Sequence, residues 1–91
     1  MEYKEEKGRI AAYDDQGQEV GEATWSQAED SMILDHTFVN PSLRGQGVAA
    51  ELVKRAVDVA KRENYTVIPL CPYAKREFDR TPEYQKIRAG K

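Results

Sequence analysis

Among its 91 residues the chain has a single cysteine, Cys71, and a single histidine, His36. One thiol closes no disulfide within the chain and cannot supply the several thiolates of a structural zinc site. A disulfide-stapled secreted scaffold and a zinc fold are therefore excluded, and no metal site is expected. Long apolar runs are missing as well. No stretch approaches the ~20 residues of a membrane span, and the start, Met1-Glu2-Tyr3-Lys4-Glu5-Glu6-Lys7, has no apolar core for a signal peptide. These absences predict a soluble, unprocessed protein of a reducing cytoplasm with no membrane partner. With only 4 Pro and 6 Gly beside 40% apolar residues, collagen-like and disordered classes drop out. The length gives room for one domain, residues 1–91, and at about 0.05–0.15 kcal/mol per residue its stability supports one core with a site on its rim.

Charge of neither sign dominates: 33% of residues are charged, yet the net charge is only −2. Residues 1–35 nevertheless hold three basic against ten acidic residues, and residues 36–91 hold eleven against six. With a pI near 5.4 the molecule neutralises too few phosphates to bind nucleic acid non-specifically, and no nucleic-acid partner is expected. The basic half reads either as solvated helix faces or as the place for a small phosphorylated ligand.

The first half of the chain reads as strands and the second mostly as helix. Lys7–Tyr13, Glu19–Ser26 and Met32–Val39 carry strand-forming residues, separated by turns at 14–18 and 27–31. This predicts an antiparallel meander. Asn40-Pro41 stops the third strand, because Pro41 lacks a ladder donor and keeps Asn40 extended. After the loop Ser42–Gly47, the apolar residues Val48, Leu52, Val53, Ala56, Val59 and Ala60 recur at helical spacing to about Arg62, with Asn64 as the stop. A short strand is expected at Thr66–Cys71, a short helix at Tyr73–Arg80, a further turn at 82–87 and a frayed end at 88–91.

Between the best strand and the best helix lies Arg44-Gly45-Gln46-Gly47-Val48-Ala49. The first N–H groups of a helix have no partner within it and carry the positive end of its dipole, so this junction suits an anion. Gly45 and Gly47 let phosphate oxygens approach the backbone, and Arg44 adds a permanent charge; pyrophosphate is the natural guest. A P-loop needs Lys and Ser or Thr after the second glycine, where Val48-Ala49 stand instead. A dinucleotide fingerprint is nominally met by Gly45, Gly47 and Ala50. It lacks the acidic residue expected about 20 positions on, since the next strand ends Leu70-Cys71-Pro72. A glycine-bearing helix start with no ligand is the bland alternative.

The segment Val39-Asn40-Pro41-Ser42-Leu43-Arg44-Gly45-Gln46-Gly47-Val48-Ala49 resembles the acyl-CoA-binding signature of the GNAT superfamily of N-acetyltransferases, Arg/Gln-x-x-Gly-x-Gly/Ala. The likeness spans roughly residues 5–87 and is greatest to the very small GNAT-like subgroup. That subgroup pairs a histidine on the strand before the loop with a cysteine in a Cys-Pro-Tyr segment, here His36 and Cys71-Pro72-Tyr73, followed by Thr81-Pro82-Glu83-Tyr84. Ordinary members are much longer, and their N-terminal helices help to form the acceptor cleft. The resemblance implies an α/β (α+β) fold: an antiparallel β-meander, a CoA-binding loop-helix, a short strand splayed from its neighbour to admit pantetheine, and a short C-terminal helix. It further implies acetyl-CoA as cofactor and a primary amine of a small molecule or a protein as acceptor. A CoA-binding or protein-interaction module without turnover is the alternative. The implied cofactor contacts are Phe38, Val39, Arg44, Gly45, Gln46, Gly47, Val48, Ala49 and Tyr73, and the basic C-terminal half adds Lys75 and Arg76 as candidates for the adenosine-side phosphate.

Acyl transfer from a thioester requires a proton acceptor for the amine, donors for the carbonyl oxygen and an acid for the leaving thiolate. His36 suits proton transfer near neutral pH. Strand alternation places it on the face of Leu34 and Phe38, opposite Asp35 and Thr37, where a satisfied structural histidine is the other reading. Cys71, just before a helix, gains acidity from the helix N-terminus, though a small buried hydrophobe is what most free cysteines are. Direct attack by the amine and an acetyl-Cys71 intermediate both remain open. Tyr73 and Tyr84 are either acids, cofactor-packing groups or ordinary half-buried tyrosines.

Overall fold

The computed structural model describes residues 1–89. Five strands, β1 (Glu2–Glu6), β2 (Arg9–Tyr13), β3 (Glu19–Ala28), β4 (Ser31–Val39) and β5 (Thr66–Pro69), form one sheet in chain order. The first four pair antiparallel, and β5 lies parallel to β4. Helix α1 (Val48–Glu63) crosses between β4 and β5, and α2 (Pro72–Arg80) follows β5. Short 3₁₀ turns occupy Pro41–Leu43 and Pro82–Ile87. Among the described residues no helix is long and apolar enough to cross a membrane.

The amphipathic spacing of α1 buries Val48, Leu52, Val53, Ala56, Val57, Val59 and Ala60 against Ile10, Ala12, Ala23, Met32 and Leu34 of the sheet. Phe78 and Ala74 of α2 join the same cluster. Gly21 sets how closely α1 can approach. A Cβ there would meet the Phe38 carbonyl oxygen at 2.9 Å and Leu52 Cδ1 at 3.3 Å, so only glycine fits beneath the helix without displacement.

Four expectations change. β1 is a strand although only Tyr3 of Glu2–Glu6 is part-buried, because an edge strand is held by its ladder to β2 and can expose nearly every side chain. The hairpin after β3 tightens to Glu29-Asp30, Glu29 taking the left-handed conformation at φ 56°. β5 ends at Pro69, two residues short of Cys71. At the C-terminus, Arg88 and Ala89 are not frayed: the Ala89 N–H donates to the Val67 oxygen at 2.8 Å, and Arg88 pairs with Asp79 at 2.7 Å. The remainder of that expected frayed end, residues 90 and 91, lies outside the described residues.

One irregularity decides which way the candidate site faces. Thr24 pairs with His36 and Trp25 with Leu34, so β4 carries an extra residue, Asp35, against two consecutive residues of β3. Such a bulge shifts the alternation by one. Before it, Met32 and Leu34 face the helices; after it, Thr37 and Val39 do, opposite Ala23 and Gly21. His36 is thereby turned to the outer face.

Candidate functional site

β4 and β5 pair only from Ser31–Thr66 to Leu34–Pro69. The Leu34 oxygen then accepts from the N–H groups of both Leu70 and Cys71, at 3.0 and 3.2 Å, and the chain turns away into α2. Beyond that point the edge of β4 has no strand partner on this side among the described residues, as the expected splay requires. A cleft of about 560 Å³ fills the gap, walled by Thr37, Phe38 and Val39, by the loop and first turn of α1, and by Tyr73, Arg76 and Arg80 of α2.

The loop leaves its backbone open to the cleft. Asn40 starts its 3₁₀ turn, the side-chain oxygen accepting from the Ser42 N–H at 3.0 Å. Gly45 and Gly47 stand at φ 84° and 79°, and a Cβ on either would meet nothing within 4 Å. Both therefore leave open space in front of the backbone. Gly47 is also the N-cap of α1 and has no side chain to satisfy the first N–H groups, which stay available to an anion. Arg44, Arg76 and Arg80 line the cleft, and among the described residues no acidic one does.

Cys71 is the N-cap of α2 and is 8% exposed. Its Sγ accepts from the Ala74 N–H at 3.3 Å and lies 3.4 Å from the Thr37 hydroxyl across the splay. Tyr73, one turn into the cleft wall, is held protonated: burial, reinforced by the Glu77 carboxylate, pushes its phenol above the ordinary value, against a smaller opposing effect of Arg80 and Arg76. Tyr84 lies outside the cleft lining, its ring 4.9 Å from that of Phe78.

His36 stands elsewhere. The expected shared face with Leu34 fails because of the bulge: His36 lies on the outer face, with Asp35 beside it and its side chain 55% exposed. Its Nε2 is 3.9 Å from Glu22 Oε2. Arg9 binds Glu6, Glu19 and Glu22 at 2.8, 2.7 and 3.2 Å, joining that carboxylate to a network on the outer face. Asp35 accepts from Thr24 and Ser26 at 2.8 and 3.2 Å. The sheet thus separates His36 from Cys71, which contacts the inward-facing Thr37.

Of the expected cofactor contacts, Phe38, Val39, Arg44, Gly45, Gly47, Val48, Ala49, Tyr73 and Arg76 line the cleft. Gln46 does not, its N–H being tied back to the Leu43 oxygen at 3.3 Å. Lys75 does not either, because Tyr73, Arg76 and Arg80 stand three and four residues apart on one face of α2 and Lys75 falls off that face. Sequence reasoning missed Thr37, Leu43, Ala50 and Arg80. Arg80 was within reach of the same helical spacing, whereas Thr37 becomes visible only once the bulge is known.

Comparison with known proteins places this arrangement. A family model for GCN5-related N-acetyltransferases matches residues 9–87. A Staphylococcus aureus protein named for its likeness to GCN5 N-acetyltransferases, solved in solution by NMR, superimposes with a TM-score of 0.79 at 30% identity, over 99% of this chain and 89% of that one. The N-acetyltransferase YhbS from Escherichia coli, solved in complex with CoA, gives 0.60 at 25% identity over 66% of this chain and 38% of its own. A ribosomal-protein-alanine N-acetyltransferase from Brucella melitensis shares the fold with a TM-score of 0.61 at 22% identity, over 91% of this chain and 63% of that one. No curated protein matches the sequence. From the matched span and the five-stranded sheet with its splayed edge, the chain belongs to the GCN5-related N-acetyltransferase family.

Proposed function

We propose that residues 1–91 form a single acetyltransferase domain that moves an acetyl group from acetyl-CoA to a primary amine of a small molecule or a protein. The observation that carries this reading is the continuity of the cleft: it runs from the uncapped, glycine-lined start of α1 to Thr37, whose hydroxyl touches Cys71 Sγ. The residues present fit CoA. Gly45, Gly47, Val48 and Ala49 would offer backbone N–H groups to the pyrophosphate with Arg44 beside them, and the free edge of β4 would receive the pantetheine amides. When bound, acetyl-CoA supplies an activated acyl group as a thioester.

The chain's own groups then divide the proton work. Cys71, with Sγ held by the Ala74 N–H and the Thr37 hydroxyl, is placed either to accept the acetyl group as a nucleophile or to give a proton to a leaving thiolate. Tyr73 keeps its proton at neutral pH and is a second donor on the same wall. His36, with the Glu22 carboxylate nearby, would receive the amine's proton if the acceptor approaches over the outer face. The Arg9 network beside it carries three carboxylates for one guanidinium, a setting that favours a cationic amine.

Calorimetry with acetyl-CoA, combined with thiol release across a panel of small amines and lysine peptides, tests the reading. Binding with amine-dependent thiol release is expected. Binding without release on any acceptor would make the chain a CoA-binding module, and no binding at all would sink the proposal.

A further inference from the structure

The cleft has two cationic walls, and a pyrophosphate uses only one of them. Arg44 and the glycine loop form the first; α2 forms the second, presenting Arg76 and Arg80 one helical turn apart. Arg80 is no loose surface arginine. Its Nη2 lies 2.9 Å from Oε2 of Glu77, whose side chain is 8% exposed. Glu77 is the one buried charged residue among the described residues. Its Oε2 has no partner in hydrogen-bonding geometry, and the carboxylate is compensated by the ion pair to Arg80 together with the Tyr73 hydroxyl. Burying a carboxylate is costly unless it is paired. Here one partner, Arg80, lines the cleft.

Two separated cationic groups fit a ligand with two separated phosphate groups, and CoA carries a 3′-phosphate monoester apart from its pyrophosphate. Resting on the CoA reading of the cleft, we propose that Arg80, with Arg76 beside it, forms a second phosphate subsite for that 3′-phosphate, and that Glu77 is the positioning residue that holds Arg80 in place. The guanidinium is planar and offers paired donors to phosphate oxygens, and fixing its orientation beforehand reduces the ordering cost of binding. Glu77 acts through Arg80 and touches no ligand itself.

The test compares CoA with dephospho-CoA by calorimetry at one ionic strength. The proteins are wild type, Arg80→Gln, Glu77→Gln and, as a control for net charge, Lys61→Gln on the exposed face of α1. Wild type should prefer CoA by about tenfold or more, and a tenfold preference corresponds to about 1.4 kcal/mol. Arg80→Gln should bring the ratio close to one by weakening CoA alone, with dephospho-CoA affinity and the Lys61→Gln ratio unchanged. Glu77→Gln should also lower the ratio although all three cleft arginines remain. Bulk charge predicts the opposite sign, because removing a carboxylate would tighten an anion. Equal wild-type affinities, or an unchanged ratio in Arg80→Gln, overturn the subsite; an unchanged ratio in folded Glu77→Gln overturns the positioning role. Arg80 is 63% exposed, so its variant reports on the subsite even if Glu77→Gln fails to fold. Wild type binding neither ligand is a distinct result that refutes the CoA reading itself.

Discussion

Replacing Gly47 by alanine should separate what this glycine does for the fold from what it does for a ligand, because the molecule contains its own control. Gly47 and Gly17 both stand at φ 79°, and a Cβ on either would meet nothing within 4 Å. Gly17 lies in the β2–β3 turn, its N–H donating to the Asp14 oxygen at 3.0 Å, and does not line the cleft. An L-residue in the left-handed region costs about 1–2 kcal/mol. The reduced freedom of the unfolded chain returns about 0.4–1 kcal/mol. Each variant should therefore lose on the order of 0.5–1.5 kcal/mol, and at about 4–8 °C per kcal/mol the melting temperature should fall by roughly 2–12 °C in both. The ligand is where they part. At position 47 the Cβ enters the space through which the phosphate reaches the α1 N–H groups, removing one or two charge-assisted hydrogen bonds of about 1.5–3 kcal/mol each. Losing even one raises the dissociation constant for CoA by about ten- to 150-fold. Gly17→Ala should bind as wild type does. Thermal melts and calorimetry on the two variants measure both quantities. If Gly47→Ala bound CoA within about threefold of wild type while melting like Gly17→Ala, the glycine-loop cradle would be the wrong place for the pyrophosphate.

Other outcomes follow from the same geometry. Cys71→Ala should slow acetyl transfer at saturating acetyl-CoA by about 10²-fold or more, and should also lower stability by about 0.5–2 kcal/mol through loss of the Sγ cap on the Ala74 N–H. Cys71→Ser restores the cap and not the thiol chemistry, so recovery of melting temperature without recovery of rate is expected. Thr37→Val removes the hydroxyl facing Sγ at nearly constant volume. It should lower the rate while Thr37→Ser retains it, and equal rates in the two would remove the contact from the chemistry. Gly21→Ala pushes a Cβ against the Phe38 oxygen and Leu52 and should cost about 1–3 kcal/mol, lowering the melting temperature by several degrees or more, whereas an unchanged melt would show that α1 can retreat freely. Bidentate bonds from Arg62 at 2.8 and 2.7 Å hold the Glu5 carboxyl below its ordinary value. A depressed carboxylate stabilises the fold above its unfolded value, and that support is lost as pH falls through the folded one. The stability gap between wild type and Arg62→Ala should thus close in acid, and a gap independent of pH would refute the pairing.

Much of the molecule was legible in one dimension because its signals are local. The 3.6-residue spacing of Val48, Leu52, Val53, Ala56, Val59 and Ala60 defines α1 and its buried stripe without reference to any neighbour. Pro41 ends β4 and Gly47 opens α1 through backbone chemistry carried by those residues alone, so the uncapped, glycine-bearing helix start was visible before any packing was known. Edge strand β1 was not, since its charged residues become a strand only when β2 offers a ladder. The same limit governs the chemistry. Alternation along Leu34, Asp35, His36 and Thr37 predicts one face for His36, and the pairing with β3 assigns it the other. A bulge is a property of two strands in register, and β4 alone contains no sign of it. Residue types and helical faces were thus determined by the sequence itself, through spacing and backbone preference. Which side of the sheet each reactive group occupies, that Thr37 meets Cys71 across the splay, and that Glu77 is buried were decided only by tertiary structure, because each depends on contacts between elements that the order of residues does not encode.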